Sequence, residues 1–353
     1  MNVKGVARFI MNMKCVVKTG SGPGLVELQE KPIPSPAAGE VLIKVHLAAI
    51  CGTDLHIKEW AEFAAKRMKP PVIMGHEFCG EIVEVGAGVK KSRIGELVSA
   101  ESHVACHTCP LCLDGKANLC INTRAIGVHF DGCFAEYVTI PAENAMVCNT
   151  LVSEENNAML EPLGTAVYAA TKCAIAGKTI AIVGCGPIGL MAAAVVKKMG
   201  AGKILCIEPN EYRAKVAYEM GANLVVNPLQ EDVVQRILDN SDGLGVDVVM
   251  EFSGNVSGIQ KATKYVRAGG AMVIAGLPSS EVPINFTELF YRGVNMYGIS
   301  GREMYQTWKV MSGLLNAGLD VSACVSHILP LEKFEEAFEL LESGQALKIL
   351  LRP

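Results

Sequence analysis

Nothing narrows the possible folds of this chain more than the run TIAIVGCGPIGLMAAAVVKKMG, in which a short apolar strand, a glycine-rich turn and an apolar helix follow one another directly. Gly184, Gly186 and Gly189 form G-x-G-x-x-G at the junction. There the first glycine permits the turn, the second lets a pyrophosphate approach the backbone, and the third lets helix and strand pack closely. Pro187 and Ile188 open the helix, whose unpaired N–H groups suit an anion. Glu208 ends the strand KILCIE, nineteen residues beyond Gly189. A carboxylate there can accept hydrogen bonds from both hydroxyls of an adenosine ribose and would repel a 2′-phosphate, so NAD is expected over NADP. The plainer reading of Glu208 is a solvated strand terminus. Arg213, in the next helix, either flanks the adenine or is a surface charge.

The alternation continues through NEYRAKVAYEMG, DVVMEFSG, AMVIAGLP and MYGISG. Strands alternating with helices imply parallel strands joined by crossovers. Before about Ile175 the pattern is different. Val41, Ile43, Val45 and Leu47 fall on one face of a strand, with Lys44 and His46 on the other. From there to about Pro141 short apolar runs are separated by Gly, Pro, Cys and His, which suggests an irregular β-rich lobe. EKFEEAFELLESG near the end reads as a helix. The expected fold is therefore α/β: a β-rich domain from residues 1–163 and 305–353, and a doubly wound parallel-sheet domain from residues 164–304. Residues 1–12 read as a short extension before the strand in MKCVVKTG.

Half the residues are hydrophobic and 19% are charged, so the chain has enough apolar surface to fold. With 32 basic and 36 acidic residues it lacks the basic stripe of a phosphate-tracking protein, and no nucleic-acid partner is expected. The uncharged run from Thr179 to Val196 has the length to be weighed as a membrane span. Gly184, Gly186, Pro187 and Gly189 interrupt it, and no membrane association is expected. No apolar secretory segment precedes Lys14, so a cytoplasmic location is expected.

Thirteen cysteines in such a chain are expected to stay reduced. Cys106, Cys109, Cys112 and Cys120 follow C-x2-C-x2-C-x7-C. Four thiolates this close can wrap one tetrahedral Zn²⁺ and leave no open position, which makes a structural site; iron–sulfur ligation is the alternative. His107 stands among them without an assigned role. Elsewhere Cys51 in AICGTDLHI, His76 and Glu77 in MGHE, and Glu161 in MLEPLG offer thiolate, imidazole and carboxylate. Such a set suits a catalytic zinc, which needs three protein ligands and one open position. Spacing alone does not establish it.

The segments CGTDLH, GHEFCGEIVEVG, the four-cysteine lobe, GCFAEY, EPLG, GCGPIGL and GREMYQTW occur in that order. From Met13 onward the chain resembles the zinc-dependent medium-chain alcohol dehydrogenases, nearest to those that oxidise L-threonine. The resemblance implies a GroES-like catalytic domain beside a Rossmann domain, NAD, one structural zinc, and one catalytic zinc on Cys51, His76 and Glu161. Glu77 would be an alternate or additional ligand. It implies oxidation of a small-molecule secondary alcohol with hydride transfer to NAD, L-threonine giving 2-amino-3-oxobutanoate, in a homo-oligomer, tetramer or dimer. It implies a proton path from Thr53 through the cofactor ribose to His56, and it places His103 near the substrate, oriented by Glu101. Arg302 is a candidate partner for a substrate carboxylate, for the cofactor pyrophosphate, or for Glu303. Threonine-oxidising members read EP(L/F)GNAVH where this chain has Thr165 and Tyr168. A polyol or vicinal-diol substrate, such as sorbitol or 2,3-butanediol, therefore stays open, as does a noncatalytic zinc- and NAD-binding protein.

Overall fold

The structure, a computed structural model, describes residues 11–353, so most of the extension expected over residues 1–12 lies outside the described residues. The strand expected in MKCVVKTG spans Asn12–Lys18 and pairs antiparallel with Val26–Pro32.

A seven-stranded sheet runs in the order Ala145–Val147, Leu97–Ala100, Glu77–Val85, Glu40–Ala49, Lys348–Arg352 and Val325–Pro330, with Tyr137–Pro141 also pairing with Glu40–Ala49. Strands from both ends of the chain thus share one sheet. The helix Phe334–Glu342 joins the last two strands and buries Phe334, Ala337 and Phe338. In Glu40–Ala49 the expected alternation is only part of the pattern: Leu42, Ala48 and Ala49 are buried along with Val41, Ile43, Val45 and Leu47. The strand is covered on both faces at its end. Leu47 and Ala49 join the core that includes Leu163 and Trp308, while Ile43, Val45 and Ala48 join the one that includes Phe78 and Phe338.

The second sheet has six strands in the order Leu224–Val226, Lys203–Ile207, Thr179–Val183, Val246–Glu251, Val266–Ile274 and Asn295–Gly298, every pair parallel. The chain enters at the centre, winds to one edge, then crosses back and winds to the other, as the expected doubly wound architecture requires. Successive residues of Thr179–Val183 feed opposite layers: Ile180 and Ile182 pack into one core, Ala181 and Val183 into another. That two-sided burial explains why the strand reads as a continuous apolar run. The order reverses between Thr179–Val183 and Val246–Glu251, and a crevice forms at their carboxyl ends, where ligands bind in such sheets. Among the described residues no helix is long and apolar enough to cross a membrane.

Candidate active site

Cys51 leaves the central strand Glu40–Ala49 and caps the helix Gly52–Lys58. Its backbone N–H donates to Asp54 Oδ2 at 2.9 Å, which fixes the turn. His76 follows a bend at Gly75, where φ is +89° and an added Cβ would stand 2.3 Å from the Phe134 ring. Glu77 opens the strand Glu77–Val85 opposite Ala49. This pairing brings one ligand atom each from Cys51, His76 and Glu77 within 4.8 Å of one another. Glu77 and Asp54 are fully buried and His76 nearly so.

Three atoms in this pocket, Asp54 Oδ1, His76 Nδ1 and Glu77 Oε1, are buried without a hydrogen-bond partner. Such groups are costly when left unpaired; Glu77 Oε1 is open to a bound cation, and the other two atoms face each other. Asp54 Oδ1 faces His76 Nδ1 at 3.8 Å, in the position of an outer carboxylate that orients a metal-binding imidazole. Burial opposes a charged imidazole, yet Asp54, Cys51 and Glu161 raise the His76 pKa to about 10. The pocket already draws a cation, and a divalent metal competes with that proton. The donor set of thiol, imidazole and carboxylate fits zinc. Behind it Lys348 Nζ pairs with Glu77 Oε2 and donates to the Ile50 carbonyl at 2.9 Å. Burial pushes the Glu77 carboxyl above its usual range, with Lys348 opposing.

Glu161 lies in the first turn of the helix Leu160–Ala170 and is not part of this three-residue cluster. Its Oε1 accepts from the Arg302 guanidinium and the Ser102 hydroxyl, and its carbonyl accepts from Arg302 Nη1 at 2.9 Å. Oε2 has no hydrogen-bond partner among the described residues. Burial works against the charge, but Arg302, His76 and Ser102 bring the Glu161 pKa down to about 2, so the carboxylate is ionised. Arg302 itself is 2% exposed, and its Nε lies 3.2 Å from Glu101 Oε2. The expectation that Arg302 meets a substrate carboxylate, the pyrophosphate or Glu303 is therefore replaced. Two buried carboxylates, Glu101 and Glu161, take up the guanidinium, because unpaired they could not stay charged there.

His103 Nδ1 stands 3.3 Å from Glu101 Oε1, so Glu101 orients it. Thr53 Oγ1 is 3.6 Å from Cys51 Sγ. His56, three residues further along the same helix and hence on a neighbouring face, is exposed to solvent.

The second cluster joins Cys106, Cys109, Cys112 and Cys120. Their Sγ atoms are 3.5 Å apart for Cys106 and Cys120, and 3.9 Å for Cys109 and Cys120. A tetrahedron with metal–sulfur bonds of about 2.3 Å has edges of about 3.8 Å, whereas a disulfide needs about 2.05 Å. The four thiols fit a closed zinc site. Hydrogen bonds from the Thr108 backbone, the Thr108 hydroxyl and Asn122 lower the Cys106 pKa to about 5. His107 turns outward, its Nε2 2.9 Å from Glu143 Oε1.

The nucleotide turn is equally constrained. Gly184 has φ +86°, and a Cβ on it would stand 2.8 Å from Ser253; a Cβ on Gly189 would stand 2.0 Å from the Gly184 carbonyl. Gly186 caps the helix Pro187–Lys198, and a Cβ there would meet nothing within 4 Å. The first and third glycines thus serve the turn and the packing, and the second leaves room for a ligand. A cavity of about 570 Å³ opens beside it, lined by Gly184, Gly186, Glu208, Arg213, Ser253 and Lys261 among others. Pro187 and Ile188 stand in the first helical turn, outside that lining. Glu208 is 4% exposed and is no solvated strand end. Its two oxygens each accept one backbone N–H, from Cys185 at 2.8 Å and Asn210 at 2.9 Å, leaving lone pairs for ribose hydroxyls. These features fit NAD.

Sequence reasoning missed Asp54, Ser102 and Lys348, and it missed that Trp308, buried in the core with Leu163, also donates its Nε1–H to Glu101 Oε2 at 2.9 Å. Lys348 left a signal, a single charge inside the apolar run ALKILL.

Residues 37–150 match the alcohol dehydrogenase GroES-like domain, and residues 187–317 match the zinc-binding dehydrogenase domain. The L-threonine 3-dehydrogenase of Caldanaerobacter subterraneus subsp. tengcongensis is 44% identical over 344 residues, which cover 97% of this chain and 99% of that protein. A solved zinc-binding dehydrogenase from Sinorhizobium meliloti 1021, bound to NADP, superposes with a TM-score of 0.91 at 30% identity, covering 97% of this chain and 100% of its own. The 2R,3R-butanediol dehydrogenase of Bacillus subtilis gives a TM-score of 0.88 at 30% identity, covering 97% and 99%.

Proposed function

Because this chain belongs to the zinc-dependent medium-chain alcohol dehydrogenase family and is an oxidoreductase that uses zinc and NAD, we propose that it oxidises the C3 hydroxyl of L-threonine to 2-amino-3-oxobutanoate. The observation that carries the reading is the Cys51–His76–Glu77 pocket with its three unpartnered buried atoms. The relative named L-threonine 3-dehydrogenase, matched over nearly the full length of both chains, supplies the substrate.

In this reading Cys51, His76 and Glu161 hold the catalytic zinc, with Glu77 as alternate ligand, and Cys106, Cys109, Cys112 and Cys120 hold the structural one. The bound groups supply Lewis acidity that lowers the alcohol's pKa, and a hydride acceptor. The chain's own residues do the rest. Thr53, beside Cys51, takes the alcohol proton as it gives up its own, and exposed His56 releases a proton to solvent, a bound cofactor's ribose being what would link the two. Glu101 fixes His103 at the substrate. The turn at Gly184, Gly186 and Gly189 and the helix opened by Pro187 and Ile188 seat the pyrophosphate. Glu208 holds the adenosine ribose and disfavours a 2′-phosphate, with Arg213 at the adenine.

Of the described residues, those up to 163 and 305–353 are assigned to the catalytic domain and 164–304 to the NAD domain. The enzyme is a cytoplasmic homo-oligomer, a tetramer or dimer. Asn295–Gly298 ends the parallel sheet, and Phe290 and Tyr291 just before it are 79% and 82% exposed, a surface suited to a second copy.

A vicinal-diol substrate is the second reading. Thr165 and Tyr168 replace the Asn and His of threonine-oxidising members, Lys172 Nζ sits 3.9 Å over the Tyr168 ring, and the Bacillus subtilis diol enzyme shares the fold. The test is cofactor reduction by the zinc-loaded protein with NAD and L-threonine, sorbitol or 2,3-butanediol. The highest kcat/KM on L-threonine supports the proposal. A diol preference overturns the substrate, and no reduction with any alcohol supports a noncatalytic protein.

A further inference from the structure

We propose that the four-cysteine lobe positions Glu161 through the segment 299–308, and that Met304 is the positioning residue in that link. The inference rests on the reading of Glu161 as a zinc ligand and adds a role for the structural lobe.

The segment leaves the strand Asn295–Gly298 and enters the helix Gln306–Asn316. Two of its residues, Gly301 at φ +59° and Tyr305 at φ +64°, are left-handed. An aromatic residue in that region is strained and persists only where its surroundings hold it. The holds are on both sides. On one side, the Ser300 carbonyl accepts from Asn118 Nδ2 at 3.5 Å, and Asn118 lies in the loop between Cys112 and Cys120. Met304 is 7% exposed and belongs to one buried apolar cluster with Ala105 and with Cys109 and Cys120, two of the four cysteines of the lobe.

On the other side, two residues earlier, Arg302 grips Glu161 and Glu101. Four residues later, Trp308 donates to the same Glu101 oxygen. The stem of Arg302 has no slack: a Cβ on Gly164 would stand 2.7 Å from Arg302 Cδ, so the side chain lies flush on the helix that carries Glu161. Gly301 passes His103 closely enough that a Cβ would sit 3.5 Å from its Cε1.

The path from lobe to carboxylate is therefore short: the apolar cluster of Met304 with Cys109 and Cys120, two residues of backbone to Arg302, and the guanidinium on Glu161. Its output matters because the clamp occupies only Oε1 of Glu161 and leaves Oε2 as the oxygen for a metal. A shift of Arg302 changes where Oε2 points. Deleting the Met304 side chain removes the segment's apolar anchor in the lobe while leaving Cys51, His76, Glu161 and the Arg302 clamp unaltered.

The experiment uses the full zinc-loaded chain in a Trp60→Phe background, so that emission reports Trp308 alone. Met304→Ala and Met304→Leu are compared by metal content, by the two rates of zinc release to a coloured chelator, and by Trp308 emission. Met304→Ala is expected to keep both zincs, to release the more labile one faster by on the order of tenfold, the low end for losing an outer-shell partner, and to shift the emission. Met304→Leu, which restores the volume, is expected to return both readouts to the parent values.

An unchanged labile rate with unchanged emission overturns the proposal, as does acceleration confined to the slow phase. Should Met304→Ala not fold, Asn118→Ala removes the Ser300 bond and carries the same expectation in smaller size. Glu161→Ala separates the two readings. If it leaves the labile rate as it was, Glu161 is not a ligand, and the emission alone then decides whether the lobe positions Arg302 and Glu101.

Discussion

Lys348→Met tests the electrostatics of the buried pocket with little change in volume. Lys348 is 4% exposed, pairs with Glu77 and donates to the Ile50 carbonyl at 2.9 Å. Removing one partner of a buried ion pair strands the other and costs about 3–5 kcal/mol. At about 2–4 °C per kcal/mol the apparent Tm should fall by roughly 6–20 °C. The deficit also has a predictable pH dependence. Burial already pushes the Glu77 carboxyl upward, and Lys348 is the largest influence pulling it down, ahead of His76; without Lys348 the upward push prevails. A carboxyl whose folded pKa is raised is best accommodated when protonated, so stability is retained at low pH and lost as pH rises through the folded value. The variant should therefore lie nearest the parent in acid and fall behind it toward neutrality. Thermal unfolding across pH measures this, with Lys348→Met/Glu77→Gln as the control. Removing both charges should recover at least about half of the loss, because the uncompensated carboxylate and not the missing contact dominates. A loss under about 1 kcal/mol, or a double variant no more stable than the single one, would refute the reasoning.

Two further outcomes follow from the other sites. Glu208→Ala should lower the ratio of kcat/KM for NAD to that for NADP by on the order of tenfold or more, as one charge-assisted contact is worth about 1.5–3 kcal/mol; unchanged discrimination in cofactor titrations would remove Glu208 from the ribose site. Hydrogen bonds from Thr108 and Asn122 favour the Cys106 thiolate, and protons compete with a metal for thiolate ligands. Zinc release from the four-cysteine site should therefore increase as pH falls, and release independent of pH, measured by metal analysis after rapid desalting, would contradict it.

The parallel sheet was legible because its strands are buried on both faces, so Thr179–Val183 and Lys203–Ile207 announce themselves as apolar runs next to glycine turns. The four cysteines were legible for a similar reason: their ligand geometry is local. What stayed hidden was the compensation of charge. Nothing near Arg302 in sequence points to Glu101 or Glu161, which are about two hundred and one hundred and forty residues away. Lys348 meets Glu77 only because the C-terminal strand inserts beside Glu40–Ala49. Asp54 was overlooked inside a recognised segment, since its role depends on the burial of His76. Chemistry held within one turn or loop can be read from spacing; pairs made by distant strands need the fold.

The most direct test is anomalous diffraction at the zinc edge from crystals of the full chain grown with zinc and NAD. The account predicts two peaks, one enclosed by Cys106, Cys109, Cys112 and Cys120, and one bound by Cys51 and His76 with a carboxylate from Glu161 or Glu77, facing the nicotinamide. A fully active preparation whose second peak is missing, or lies away from Cys51 and His76, would contradict it.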